Sequence, residues 1–434
     1  MQGDCSAAAL TPSDSALLRV PLHRARRALL KRAEFELLMH DGITADALTD
    51  MGMVELDAAT RRPQTAGAPP RPSPPALTRL QWAFLGYDGS GSLDLASTLE
   101  LAQASAPAAL PPLRQALALA PDDARVHHAI GSALLPRRGD YSASHLRPLC
   151  ELAFDHFWRA ARLLDKCPLL FMKAGTVAMR ARSRADSELA RLFGMGVELA
   201  PSSTAATQHL VTALQWAGQH AHAASEVQRA MRDGLWPRAL QRPAKFTPGL
   251  RARPFWRAGA VAPRLCAALR NASAQLHTDL AALRASSGCA TQDEGLHTAN
   301  TSWQVCDVMQ RCALHDPRVR ATCDVLWRWE DAHAKRIHSA QFSLLAGGGH
   351  IRPHTGSTNR RLVIHYTLPP AYDGTSSAGG GAAMRVGSAW HHFVGGGCRA
   401  FDDSFEHEVV HAGRGIRENL VLQLAHPGLD KIQK

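Results

Sequence analysis

The stretch RRLVIHYTL, residues 360–368, alternates apolar and polar side chains in a way that only an extended strand can use. Successive residues of a strand point to opposite faces. Leu362, Ile364, Tyr366 and Leu368 therefore share one face, and Arg361, Val363, His365 and Thr367 share the other. IRENLVLQLA, 416–425, repeats the pattern, with Leu420, Leu422 and Leu424 together and Arg417, Asn419 and Gln423 opposite. A strand that only builds core has no use for Arg and His on its second face. Both strands are expected to turn cations and amides toward one cavity, as a barrel that holds a small dianion would. From about residue 338 the same period recurs between glycine clusters: AGGGH (346–350), SSAGGGAA (376–383) and VGGGC (394–398). Short strands punctuated by glycine predict a sandwich or jelly-roll barrel for the C-terminal part.

Upstream the period changes. One helical stretch is expected over 260–285, after a Pro- and aromatic-rich segment, QRPAKFTPGLRARPFW (241–256). Residues 98–235 are rich in Ala and Leu at helical spacing. Pro121, Pro168 and Pro201 each follow one apolar helix and precede the next, at separations of 47 and 33 residues (168 − 121 and 201 − 168). The second separation fits a tetratricopeptide unit of about 34 residues, and the first fits one with an insertion. Stacked units of that kind leave a concave face for a partner. The organisation expected is α+β and multidomain: a helical segment at 1–59, a proline-rich linker at 60–76, tetratricopeptide-like helical repeats at 77–238 and a double-stranded β-helix (jelly-roll) barrel at 239–434.

The 434 residues carry a net charge of +11, mostly through arginines scattered along helical segments. No stripe of cations interleaved with aromatics occurs, so no nucleic-acid partner is expected. No run of about 18 uncharged apolar residues exists to cross a membrane. The first residues lack the apolar core of a signal peptide, although the Arg-rich LHRARRALLKR (22–32) leaves a transit-type leader open. A cytoplasmic location is the expectation, with the endoplasmic reticulum or another organelle left open. Nine cysteines are irregularly spaced and form no CxxC pair, so buried thiols are expected, apart from Cys312 and Cys323, which are close enough to bridge a loop. FLGYDGSGSLDLAS (84–97) looks like a calcium loop, but Gly86 and Ser97 stand where ligands are needed. A glycine-rich turn is the reading.

Two segments carry candidate chemistry. IRPHTGSTN (351–359) presents His354 at a strand end, and FDDSFEHEVVHAG (401–413) presents His407. Two imidazoles suit iron, copper, nickel or zinc and leave coordination positions open. A mononuclear iron site would add Asp or Glu two residues after the first His, but that place is held by Gly356.

RPHTGSTNRRLVIH and FDDSFEHEV resemble the two metal-histidine segments of the aspartyl/asparaginyl β-hydroxylases. Arg417, ten residues after His407 and followed by LAHP, is similar to that family's co-substrate arginine. The resemblance spans about residues 240–428. It implies a peptide-aspartate β-hydroxylase-like dioxygenase that uses iron(II), 2-oxoglutarate and O2. It implies His354 and His407 as metal ligands and catalytic residues, with Ser343, His365 and Arg417 binding the co-substrate and Arg361 and Trp303 the substrate. A peptide or protein partner is implied, held in part by the helical repeats. A glycine at the carboxylate position is in the family's pattern, with water filling the place, so Gly356→Asp is expected to fold without improving catalysis. Val363 departs from that pattern, since the family has an arginine there. The same iron chemistry on a lipid acyl chain or a small amino acid stays open, as does a non-catalytic helical scaffold.

Overall fold

The computed structural model describes residues 113, 117, 121–135, 147–164, 167–292, 296–297, 301–331, 337–369 and 381–429. The expected N-terminal helical segment (1–59), the linker (60–76) and the glycine-rich turn (84–97) lie outside them. By contacts the chain divides into two compact units, Met1–Ala178 and Met179–Lys434.

The first unit is helical. α1 (Ala124–Leu134) and α2 (Arg147–Leu163) precede α3 (Pro168–Arg180), which runs to the boundary. Ile130, Leu134, Leu152 and Phe157 are buried and supply its core. Gly131 allows the close approach of the first two helices: a Cβ there would lie 3.0 Å from the Phe157 ring and 3.1 Å from the Ala153 carbonyl.

The second unit opens with α4 (Asp186–Leu199), α5 (Thr204–Trp216) and α6 (His220–Arg232). Leu189, Leu192, Phe193 and Val197 recur at helical spacing and are buried. Ser203 caps α5 by accepting from the Ala206 N–H at 3.2 Å, a bond worth about 1 kcal/mol. Among the described residues of 121–232 the chain is helical, as the sequence predicts.

Eleven strands then build two sheets. They are β1 (Phe255–Trp256), β2 (Ala290–Thr291), β3 (Trp303–Asp307), β4 (Ile337–Ala346), β5 (His350–His354), β6 (Arg361–Thr367), β7 (Ala382–Val386), β8 (Ala389–His392), β9 (Cys398–Phe401), β10 (His407–His411) and β11 (Ile416–Ala425). The seven-stranded sheet runs β1-β9-β6-β11-β4-β3-β2, and the four-stranded one β5-β10-β7-β8. Neighbouring strands pair antiparallel, including the β6/β11 pair that sets Leu422 opposite Ile364. Among the described residues the sheets keep separate edges and do not close into the expected barrel.

The alternation read in β6 and β11 sorts the side chains into two cores. Leu362, Ile364, Tyr366, Leu420, Leu422 and Leu424 pack with helical leucines such as Leu276, Leu280 and Leu283. Each such burial contributes about 1.5–3 kcal/mol, and Leu422→Ala should cost about 2–5 kcal/mol in urea unfolding. Val363, Phe401 and Val421 of the large sheet join Ile351, Met384 and Val409 of the small one in the second core.

Two expectations need correcting. The single helix over 260–285 is three: α7 (Ala258–Val261), α8 (Leu265–Asn271) and α9 (Ser273–Ala285). Pro263 cannot donate within a helix, and Arg264 beside it takes a left-handed φ of 62°. The cysteines are mostly cross-linked rather than buried thiols. Cys266–Cys398 ties α8 to β9, Cys289–Cys306 ties the β2 end to β3, and Cys312–Cys323 joins α10 (Met309–Ala313) to α11 (Arg320–Asp331). Cys150 is a buried free thiol.

Candidate active site

His354 ends β5 and His407 begins β10, and the two residues are direct cross-strand partners. Their ring centroids are 4.1 Å apart. The ring Nδ1 of His354 lies 2.8 Å from the Arg352 carbonyl, and that of His407 lies 2.9 Å from the Phe405 carbonyl. A carbonyl oxygen can only accept, so each Nδ1 carries the hydrogen and each Nε2 is left with a bare lone pair. Such bonds fix the tautomer of a metal-binding imidazole and raise its basicity as a ligand.

Burial keeps both rings neutral. It lowers the His354 pKa to about 3, with His407 adding to the effect, and the His407 pKa to about 4. A histidine whose folded pKa lies below its unfolded value of about 6.5 contributes stability that is complete above that value. The contribution is lost as pH falls toward the folded pKa. The melting temperature should therefore fall between about pH 6.5 and 4, with net proton uptake on unfolding, and calorimetry in several buffers would measure it.

Asp403 is a residue the sequence reading missed. Its carboxylate lies against the Cα of Gly356: a Cβ built there would be 2.3 Å from Oδ2 and 2.5 Å from Cγ. Asp403 Oδ2 accepts from Arg361 at 2.7 and 3.1 Å, while Oδ1 is buried with no hydrogen-bond partner. Burial raises the Asp403 pKa, and Arg361 opposes the rise. The glycine thus makes room for a carboxylate from the other histidine segment. That overturns the expected tolerance of Gly356→Asp, because the added side chain would collide with Asp403 and repel it. Gly356→Ala should already cost about 1–3 kcal/mol, and Gly356→Asp more, read as the shift in urea midpoint. The signal lay in FDDSF, but the turn before β10 breaks the alternation that would have aimed Asp403.

Arg417 is fully buried on β11. Its Nη2 is 3.5 Å from Ser343 Oγ, and its guanidinium lies over the Phe393 ring at 4.6 Å. Ser343 also accepts from Trp303 Nε1 at 3.0 Å. His365 Nδ1 is 3.2 Å from Asn419 Nδ2 and its ring stacks on Phe393. Burial, then Arg417, push the His365 pKa well down. A cavity opens beside His365, lined also by Thr367, Met384, Phe393 and Arg399. The structure therefore joins Ser343, His365, Arg417 and Trp303 through shared contacts. Arg361 is turned to Asp403 and Gln423, and Val363 is buried among apolar side chains. Phe393 is the other residue the sequence did not single out.

On the far side of the second histidine segment, Glu406 is gripped by Arg242, Arg385 and Gln215. Burial alone would raise its pKa, but Arg242, Gln215 and Arg385 together outweigh that and hold it down to about 2. Among the described residues, no group of three or more His, Cys, Asp or Glu side chains gathers to hold a metal.

Two antiparallel sheets thus carry a pair of tautomer-locked imidazoles, and a buried arginine lies on the strand beside the histidine-bearing β6. Residues 270–427 match the family model described as aspartyl/asparaginyl beta-hydroxylase. The aspartyl/asparaginyl beta-hydroxylases of Mus musculus and Homo sapiens are each 30% identical over 113 residues, which is 26% of this chain and 14% of each relative's length. Among solved structures, a Pseudomonas putida prolyl-4-hydroxylase is 17% identical with a TM-score of 0.24, covering 40% of this chain and all of that one. A Burkholderia pseudomallei oxidoreductase of the 2OG-Fe(II) oxygenase family is 15% identical with a TM-score of 0.21, covering 35% and 91%.

Proposed function

We propose that this chain is an iron(II)- and 2-oxoglutarate-dependent dioxygenase that hydroxylates aspartyl or asparaginyl residues of a peptide or protein. The observation that carries the reading is the pair of Nε2 lone pairs on cross-strand partners, each ring pinned through Nδ1 to a backbone carbonyl. The donor set fits iron(II): neutral imidazoles from His354 and His407 would hold it, and the buried Asp403 Oδ1 beside Gly356 has no hydrogen-bond partner. When bound, iron(II) with 2-oxoglutarate supplies the oxidation of a C–H bond by dioxygen.

The chain's own residues bind and orient. Arg417, with Ser343, holds the distal carboxylate of 2-oxoglutarate through charge-assisted hydrogen bonds. Neutral His365 faces the near end, and Trp303 fixes the Ser343 hydroxyl. The apolar side chains around Val363 and Phe401 keep water away from the inner face. The helical hairpins are a tetratricopeptide-like array that presents the substrate. The disulfides among the described residues, Cys266–Cys398, Cys289–Cys306 and Cys312–Cys323, fit an oxidising compartment rather than the cytoplasm.

The test is metal titration followed by 2-oxoglutarate turnover, with mass spectrometry of peptides carrying Asp or Asn. Iron-dependent succinate formation with a +16 Da product supports the reading, and no turnover by iron-loaded protein across the peptide set would end it.

Val363 favours a second reading, a less acidic substrate, since an apolar residue stands where a cation would meet a carboxylate. Val363→Arg should improve turnover of acidic peptides if the pocket is otherwise built for them. Loss of activity in a variant that still melts cooperatively would favour the less acidic substrate.

A further inference from the structure

Helix α5 carries a row of side chains that the oxygen chemistry does not use, and they reach both histidine segments. The Gln208 amide donates to the Thr355 carbonyl at 3.1 Å, to Thr355 Oγ1 at 2.6 Å and to the Gly356 carbonyl at 3.1 Å. At the penultimate position of the helix, Gln215 donates to Glu406 at 2.8 Å. Trp216 Nε1 donates to the Pro353 carbonyl at 2.9 Å, and the Arg352 guanidinium stacks over its ring at 3.8 Å. Arg352 is held in turn by Asp186 of α4 at 2.7 Å. Residues 352, 353, 355 and 356 flank His354 on both sides, and Glu406 adjoins His407.

We infer that helix α5 is a brace that sets the separation and aim of the two imidazoles, with Gln208 and Trp216 as positioning residues. The inference rests on the two-histidine reading proposed above. Its physical basis is the small number of protein donors. Three ligands define a plane and hold one another to the metal, whereas two leave the metal free to swing with either strand end. His354 sits at the last residue of β5, and the pairing with β10 shifts register between His407 and Val409. The pairing of β5 with β10 therefore ends at His354; beyond it the Gly356 N–H donates to the Asp403 carbonyl, and α5 adds its bonds to residues 355 and 356. Gln208 is buried, so its bonds to 355 and 356 are shielded from competing water. It also reaches the carbonyl of Gly356, the residue whose Cα the Asp403 carboxylate lies against. The bonds of Gln208 and Trp216 run mainly to the backbone carbonyls beside His354, so their effect passes through the placement of that segment.

The experiment uses the full chain and cobalt(II) as a spectroscopic probe. Gln208→Met keeps length and volume but cannot donate, and Trp216→Phe keeps a ring under Arg352 but loses the N–H. Each should weaken cobalt(II) binding on the order of 10-fold, the lower end of what loss of a ligand-orienting bond costs. Each should also change the shape of the visible cobalt bands, while the circular dichroism of the metal-free chain stays that of the wild type. A simple loss of stability would lower the melting temperature without altering the bands of the metal-loaded protein. Titration curves and bands identical to wild type in both variants would overturn the brace. If Gln208→Met does not fold, Trp216→Phe decides alone. Failure of the wild-type chain to bind cobalt(II), with His354→Ala indistinguishable from it, would instead remove the two-histidine reading itself.

Discussion

Arg417→Ala should raise the dissociation constant for 2-oxoglutarate about 30-fold to several thousand-fold while leaving divalent metal binding nearly intact. The guanidinium is fully buried, and it lies against Ser343 and the face of Phe393. A carboxylate brought there is desolvated, and removing its cation leaves a buried charge unpaired. Truncation of one partner in a buried charged pair costs about 2–5 kcal/mol, and every 1.4 kcal/mol is about tenfold in affinity. Arg417→Lys should recover part of the loss, because it restores charge without the planar fork. Calorimetric titration of 2-oxoglutarate into cobalt-loaded protein gives the comparison. An unchanged constant in Arg417→Ala would place the anchor elsewhere on the inner face.

His407→Ala and His354→Ala should each abolish stoichiometric iron(II) binding and reduce 2-oxoglutarate turnover to background. With only two protein donors, removing either leaves a single imidazole, which cannot hold a metal at micromolar concentration. The fold should survive, since each ring is neutral and makes one hydrogen bond, to the carbonyl two residues before it at Arg352 or Phe405. Such a bond contributes about 0.5–1.5 kcal/mol. Iron quantitation after gel filtration, beside a thermal melt, separates loss of metal from loss of fold. Full turnover in either variant would end the assignment.

Much of this was legible in the chain because it depends on short-range periodicity. β6 and β11 announce their faces within ten residues each, and the two cores follow that division. The histidine segments and Arg417 were legible as local strings. What was not legible is set by contacts far apart in sequence. Gln208 reaches Thr355 across 147 positions and Gln215 reaches Glu406 across 191. Cys266 meets Cys398 across 132. β1 and β2 are two residues long, too short for any period to register. Asp403 was hidden differently: the turn before β10 uncouples its direction from the strand pattern, so only the space left by Gly356 identifies its place.

The grip of α4 and α5 on the β5 end bears on where this gene can be cut and rejoined. Composition suggests an exchangeable oxygenase cassette beginning near residue 239, yet a piece starting there would lose Asp186, Gln208, Gln215 and Trp216. It would leave the carbonyls of Pro353, Thr355 and Gly356, the Arg352 guanidinium and one face of Glu406 without those partners. The compact unit that keeps all of these partners together runs from Met179 to Lys434. Recombination that gave these sheets a different set of preceding helices would have to supply a new donor at each of those oxygens and a new acceptor for Arg352. Shuffling is then confined to sequence upstream of α4, and diversification of the site's surroundings to point substitution.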